Sequence, residues 1–296
     1  MASTAAADVA WTVKRLLGST ADYLTKRGVD SPRLAAEMLI GHVLKLSRIE
    51  LYTRYDDVPD DASRGKLRDL VRRAGEHEPV QYLVESASFF GFEVKVTPAV
   101  LIPRPDTETL IDVVVRRLAE ADRKGEELRV ADVCTGSGIV AIALAKSLSK
   151  ATIVATELSE EAAEVARANV DKLGLTDRID VHVGDLLEGI DGDFDVIASN
   201  PPYIPTSAIA SLDANVRDYE PHVALDGGDD GLDVLRRLLA GSSDRLRPGG
   251  FLATEMQHDQ GDALTSLATD SGWQGVRVVR DLAGHDRVLV ADRGGP

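Results

Sequence analysis

The sequence predicts an α/β fold, a mostly parallel sheet covered on both faces by helices and preceded by a small all-α unit. Three observations carry this. Residues up to about 80 show helical periodicity only. Beyond them short β-rich runs alternate with helical stretches. Those runs are apolar nearly throughout, the pattern of strands buried on both faces.

Along the chain, "DVAWTVKRLLGSTADYLTKRG" carries Val9, Val13, Leu16 and Leu17 at helical spacing. "SPRLAAEMLIGHVLKL" opens with Ser31 as N-cap and Pro32 at the first helical position. "DASRGKLRDLVRRAG" sets Leu67, Leu70 and Val71 on one face and ends near Gly75. From Glu85 the period changes. "ESASFFGFEVKVTPAVLIP" alternates Phe92, Val94 and Val96, with Gly91 placed to turn one strand into the next, which reads as a β-hairpin linker. "DTETLIDVVVRRLAEAD" returns to helical spacing.

The β-rich runs are then "LRVADVC", "ATIVATE", "IDVHV", "FDVIASN", "GFLATEM", "GVRVVRD" and "DRVLVAD". Helical stretches "GIVAIALAKSLS", "SEEAAEVARANVDKLG", "GLDVLRRLLAGSSDRL" and "DALTSLATDS" lie between them. Only "LAGH" joins the last two runs. That is too short for a helical crossover, so an antiparallel hairpin is expected at the sheet edge. The expected domains are a helical unit over 1–80, the hairpin linker over 81–105 and the sheet domain over 106–296.

Composition narrows the function. Among 296 residues, 34 Lys plus Arg face 49 Asp plus Glu, a formal charge of −15. This is the reverse of the basic footprint that long nucleic acid requires, so direct DNA binding is not expected. Cys134 is the only cysteine, which excludes an internal disulfide framework and multi-cysteine zinc sites and fits a reducing cytoplasm. No apolar run approaches membrane-spanning length, and the opening "MASTAAADVAWTVKR" lacks a basic region followed by an apolar core. The six histidines are scattered without an i, i+4 pair, so no metal site is expected. "DGGDDG" lacks the alternating ligands of a calcium loop.

Chemistry concentrates at four strand ends: Asp132, Glu157, Asp185 and Asn200. Parallel strands finish along one edge, and ligands bind beyond it. "DVCTGSG" passes through Thr135, Gly136, Ser137 and Gly138 into a helix, where glycines let a ligand approach backbone N–H groups. Glu157, 19 residues past Gly138, can accept hydrogen bonds from both ribose hydroxyls of an adenosine-bearing cofactor. That serves NAD and S-adenosylmethionine equally. At the fourth strand end, "NPPY" offers the Asn200 amide oxygen and the Pro201 carbonyl, left free because Pro202 has no N–H. Together they suit the two hydrogens of a planar NH₂ group, and Tyr203 offers a face for stacking. Such a nitrogen has a delocalised lone pair and needs orientation more than a base. A glutamine amide and an adenine amine both qualify.

With these residues in place, the chain resembles the HemK/PrmC family of protein-glutamine N5-methyltransferases. The likeness covers nearly the whole chain through "PVQYLVESASFFGFEVKV", "VLIPRPDTETL", "DVCTGSG", "NPPYIP", "EPHVALDGGDDGLDVLRRL" and "DLAGHDRVLV". It implies a seven-stranded class I, Rossmann-like methyltransferase domain behind a helical domain that helps recognise peptide chain release factors. It also implies S-adenosylmethionine as donor and the glutamine of the release factor's Gly-Gly-Gln loop as acceptor. By position, Thr135 to Gly138 and Glu157 would hold the cofactor, Asp185 and Leu186 would flank its adenine, and Asn200, Pro201, Pro202 and Tyr203 would hold the glutamine amide, Asn200 touching both. Two positions depart from the family pattern: Glu157 stands where Asp is usual, and Gln257 where glycine is usual. An N6-adenine DNA methyltransferase shares "NPPY" and is the rival reading, with an NAD-dependent dehydrogenase behind it.

Overall fold

The structure, a computed structural model, describes residues 10–294; Val9 and the last two residues of the Gly-rich tail lie outside them. The chain divides into two units, residues 1–85 and 86–296. Among the described residues no helix is long and apolar enough to cross a membrane.

The first unit holds α1 (Val13–Lys26), α2 (Pro32–Leu44), α3 (Arg48–Thr53), α4 (Asp61–Gly75) and α5 (Val80–Val84). Their apolar faces meet in a core of Val13, Leu17, Leu24, Leu39, Ile40 and Leu51. Thr12 caps α1 through a bond from the Arg15 N–H. Ser31 occupies the N-cap of α2 with a left-handed φ of 45°, outside the extended conformation of a capping residue, and makes no capping bond. Gly75 is there for space as well as for stopping the helix, since a Cβ would stand 2.7 Å from the Tyr23 ring.

The second unit opens with β1 (Ala87–Phe89) and β2 (Phe92–Val94), paired antiparallel. Phe90 and Gly91, both at positive φ, make the two-residue turn. Strand β2 stops at Val94, and Val96 is buried beyond it. Then follow α6 (Glu108–Glu120), β3 (Arg129–Val133), α7 (Ile139–Ser147), β4 (Thr152–Glu157), α8 (Glu160–Lys172), β5 (Ile179–Val183) and β6 (Phe194–Ser199). Two single turns, α9 (Thr206–Ile209) and α10 (Ala214–Arg217), precede α11 (Asp233–Ser242), β7 (Leu246–Glu255), α12 (Gly261–Asp270), β8 (Gln274–Arg280) and β9 (Asp286–Asp292).

Seven strands form one sheet in the order β5-β4-β3-β6-β7-β9-β8. The first five are parallel to their neighbours, while β9 runs antiparallel to both β7 and β8. The short "LAGH" connection therefore makes the expected edge hairpin, with β9 slotted inside β8. Every residue of β6 is buried, and Phe194, Leu239, Leu252, Trp273 and Leu289 fill one side of the sheet. Strand order reverses between β3 and β6, and a crevice at such a reversal is where α/β sheets hold ligands. Residues 1–85 carry 13 Lys plus Arg and 13 Asp plus Glu, which leaves 21 against 36 beyond them, so the whole −15 belongs to the second unit.

Candidate active site

The turn after β3 is built on a buried carboxyl. Asp132 accepts hydrogen bonds from the Thr135 hydroxyl at 2.5 Å and the Ala141 N–H at 2.9 Å, pulling the loop and the first turn of α7 down over it. Burial raises its pKa to about 7. Asp132 is thus enclosed rather than displayed on the rim, one residue inside the end of β3. Cys134, Gly136 and Gly138 all adopt positive φ, and a Cβ on Gly136 would meet nothing within 4 Å. The space above it is a cavity of about 420 Å³. Cys134 contributes no reactive thiolate, since burial pushes its pKa up to about 12.

Glu157, the last residue of β4, bridges two helix starts: it accepts from the Gly136 N–H at 2.9 Å and from the Ser159 N–H at 3.1 Å. Ser159 caps α8 through the Ala162 N–H. Beyond β5, Asp185 pairs with Arg237 of α11 at 2.6 Å, and Leu186 follows with φ 52°. Thr135, Gly136, Ser137, Glu157, Asp185, Leu186, Asn200 and Pro202 line the cavity, and Gly138, Pro201 and Tyr203 are their chain neighbours outside that lining.

The "NPPY" segment leaves β6 and is held from three sides. The Asn200 Nδ2 donates to Thr107 Oγ1 at 3.1 Å, and the Tyr203 hydroxyl donates to Glu255 Oε1 at 2.9 Å. The Gln260 side-chain amide donates to the Tyr203 carbonyl at 2.9 Å. No backbone N–H of the described residues donates to the Pro201 carbonyl. Residues 220–231 wrap the other side: Ile204 N–H donates to Leu225, and Gly227 N–H donates back to Ile204. At Gly231 a Cβ would lie 2.3 Å from the Tyr203 carbonyl, so the "DGGDDG" loop keeps glycine for close approach. Buried Glu220 pairs with Arg104 at 2.5 Å and takes the Ile102 N–H at 3.3 Å, fixing "IPRP" beside the cavity.

Comparison with known proteins agrees with this geometry. Residues 15–84 match the PrmC N-terminal domain, and residues 107–214 match the methyltransferase small domain. The chain is 41% identical to the release factor glutamine methyltransferase of Rhodopirellula baltica, over 95% of this chain and 96% of that one. It is 42% identical to the protein of the same name from Moorella thermoacetica, over 95% and 99%. The chain belongs to the release factor glutamine methyltransferase family. Solved structures agree on the fold: a Pyrococcus furiosus methyltransferase superposes with TM-score 0.52 at 20% identity, over 80% of this chain and 100% of that one. The 16S rRNA N2 G1207 methyltransferase of T. thermophilus, solved with AdoMet and guanosine, gives 0.51 at 19%, over 70% and 49%.

Within this methyltransferase, Thr107, Glu255, Gln260 and Arg237 are the residues that the sequence did not single out. Three of them lie 93, 52 and 57 residues from the "NPPY" positions they hold. A signal was present for two: Thr107 sits in "VLIPRPDTETL" and Arg237 in "EPHVALDGGDDGLDVLRRL", both stretches that carry the resemblance. Gln257 gives only its backbone N–H to the Gln260 side chain, so its departure from glycine leaves the tie to Tyr203 intact.

Proposed function

We propose that this chain transfers the methyl group of S-adenosylmethionine to the side-chain amide nitrogen N5 of the glutamine in the Gly-Gly-Gln loop of peptide chain release factors. The observation that carries the reading is the pair of acceptors at the end of β6. Asn200 spends its NH₂ group on Thr107, which leaves its oxygen for the cavity, and the Pro201 carbonyl has no backbone donor.

The cavity suits the cofactor. A buried polar atom of its lining, Thr156 Oγ1, has no hydrogen-bond partner, and the Gly136 backbone opens onto it. Thr135, Gly136, Ser137 and Gly138 would hold the cofactor's amino-acid end, Glu157 the ribose, and Asp185 with Leu186 the adenine. S-adenosylmethionine supplies a methyl group on a positively charged sulfur. The acidic side chains Glu157 and Asp185, which line the cavity, favour that charge. Asn200 and Pro201 accept the two amide hydrogens and turn the nitrogen lone pair toward the methyl group, while Pro202 and Tyr203 bound the flat amide. The nitrogen gives up its proton after transfer, when it has become acidic, so no nearby base is required.

Residues 1–80 contribute to recognition of the release factor, in the cytoplasm where termination runs. The relatives' names and the length of the match support this substrate, and the −15 charge speaks against DNA. The test incubates the full chain with methyl-tritiated S-adenosylmethionine and an intact release factor, its Gln-to-Glu form, or DNA. Label on the first alone is expected. Label on DNA, or none on the factor, sinks the reading.

A further inference from the structure

Three segments far apart in sequence meet on one buried side chain, Gln260, which stands 7% exposed at the start of α12. Its Nε2 donates to the Tyr203 carbonyl at 2.9 Å and, over a longer 3.3 Å, to the Gly231 carbonyl. Its Oε1 accepts the Gln257 N–H at 3.0 Å. The first segment carries "NPPY", the second is the "DGGDDG" loop whose Asp226, Gly227 and Gly228 line the cavity, and the third is the turn after β7.

Donor counting fixes the orientation of this amide. The NH₂ group brings two hydrogens and the amide oxygen brings none. Two carbonyls lie at one end and an N–H at the other, so only the orientation with Nε2 toward Tyr203 and Gly231 pairs every group. Among the described residues neither carbonyl takes a backbone N–H from the turns around it. Two carbonyl oxygens converging on one buried point repel each other, and the NH₂ group between them replaces that repulsion with two hydrogen bonds. Gly231 leaves the room: a Cβ there would collide with both the Tyr203 carbonyl and Gln260 Nε2.

The consequence reaches the acceptor pair. Asn200 is held by Thr107 and the Tyr203 hydroxyl by Glu255, while the rings fix φ at Pro201 and Pro202. The Tyr203 carbonyl anchors the far end of that backbone, and Gln260 holds it. We propose that Gln260 is a positioning residue: by donating to the Tyr203 and Gly231 carbonyls at once, it fixes the acceptor-bearing "NPPY" segment against the cavity wall. This rests on the methyl-transfer reading above and deepens it.

The test measures steady-state methyl transfer by the full chain to an intact release factor, with Gln260→Met and Gln260→Glu, over roughly pH 5.5 to 9. Gln260→Met keeps the length and removes the donor. It should lower kcat roughly 10- to 100-fold while the KM for S-adenosylmethionine stays within about threefold of the parent. Gln260→Glu supplies a readout that general support of the fold would not move. Protonated, a glutamic acid donates to the Tyr203 carbonyl and accepts the Gln257 N–H; ionised, it turns a negative charge on two carbonyl oxygens. Burial among acceptors raises the pKa of such a carboxyl into the assay range.

The ratio of the Gln260→Glu kcat to the parental kcat should therefore lie within about fivefold of one at the acid end and fall roughly tenfold or more as pH rises, while the Gln260→Met ratio stays flat. The ionisable groups on the surrounding elements are Glu255 of β7, Asp230 and Asp233 beside Gly231, His258 and Asp259 of the same turn, and Asp286 and Arg287 of β9. All are present in parent and variants, so the ratio removes their titration. Gln260→Met at parental kcat overturns the proposal, and so does a Gln260→Glu ratio that is the same at every pH. If Gln260→Met fails to fold, Gln260→Glu at the two ends of the pH range decides alone. If the unaltered chain fails to methylate the factor, the functional reading falls and this falls with it; if it methylates and the variants behave as the parent, only the role of Gln260 falls.

Discussion

Replacing Asp132 by Asn should flatten a specific part of the pH dependence of folding. Asp132 is fully buried, and burial raises its pKa from 3.8 to about 7. The sign follows from proton counting. Between these two values the folded chain holds a proton that the unfolded chain has released, so stability falls as pH rises through the window. With about 3 pKa units between the states at about 1.4 kcal/mol each, the wild type should lose roughly 3 kcal/mol between pH 4.5 and pH 8 that Asp132→Asn does not lose. Both Asn and protonated Asp keep an oxygen for the Thr135 hydroxyl and the Ala141 N–H, so the loop survives the exchange. Other carboxyls titrate in both proteins and cancel in the difference. The assay is urea denaturation across that range, followed by the fluorescence of Trp273, which is buried against α11, in a Trp11→Phe background. Parallel pH profiles for the two proteins would show that Asp132 does not hold a proton in the folded chain across this range.

Other perturbations reach the site by different routes. Asn200→Ala should cut kcat roughly 100- to 1,000-fold while calorimetry finds cofactor binding mostly preserved, because the acceptor is lost and the glycine loop is untouched. Gly231→Ala should destabilise the chain by roughly 2–5 kcal/mol, the sum of left-handed strain and a clash with the Tyr203 carbonyl. Gly136→Ala meets no atom, so it should cost only about 1–2 kcal/mol of folding and weaken cofactor affinity instead, as melting curves and titrations of the pair would tell apart.

The sequence displays what local chemistry dictates. The four-residue "LAGH" rules out a crossover, so the terminal hairpin was legible. Positive φ at Gly136 and Gly138, and Pro202 following Pro201, are demands of the backbone itself, and they marked the loop and the acceptor pair. What depends on distant partners was hidden. Nothing around Thr107 or Glu255 shows that the first would hold Asn200 and the second Tyr203, because the fold brings them there. Asp132 reads as a rim acid from its place near a strand end, yet the loop folds back and its hydroxyl and N–H donors bury the carboxyl. "DGGDDG" shows in sequence only that it lacks a calcium loop's ligand spacing, and the close approach of Gly231 to the Tyr203 carbonyl explains its last glycine.

The central claim is that a glutamine amide nitrogen receives the methyl group, and tandem mass spectrometry addresses it directly. A release factor incubated with the full chain and S-adenosylmethionine is digested, and the fragments spanning its Gly-Gly-Gln loop are sequenced. One added methyl group is expected on the glutamine side chain of that loop, absent when Asn200→Ala replaces the parent chain. An unmodified loop, or a methyl group on any other residue, would contradict it.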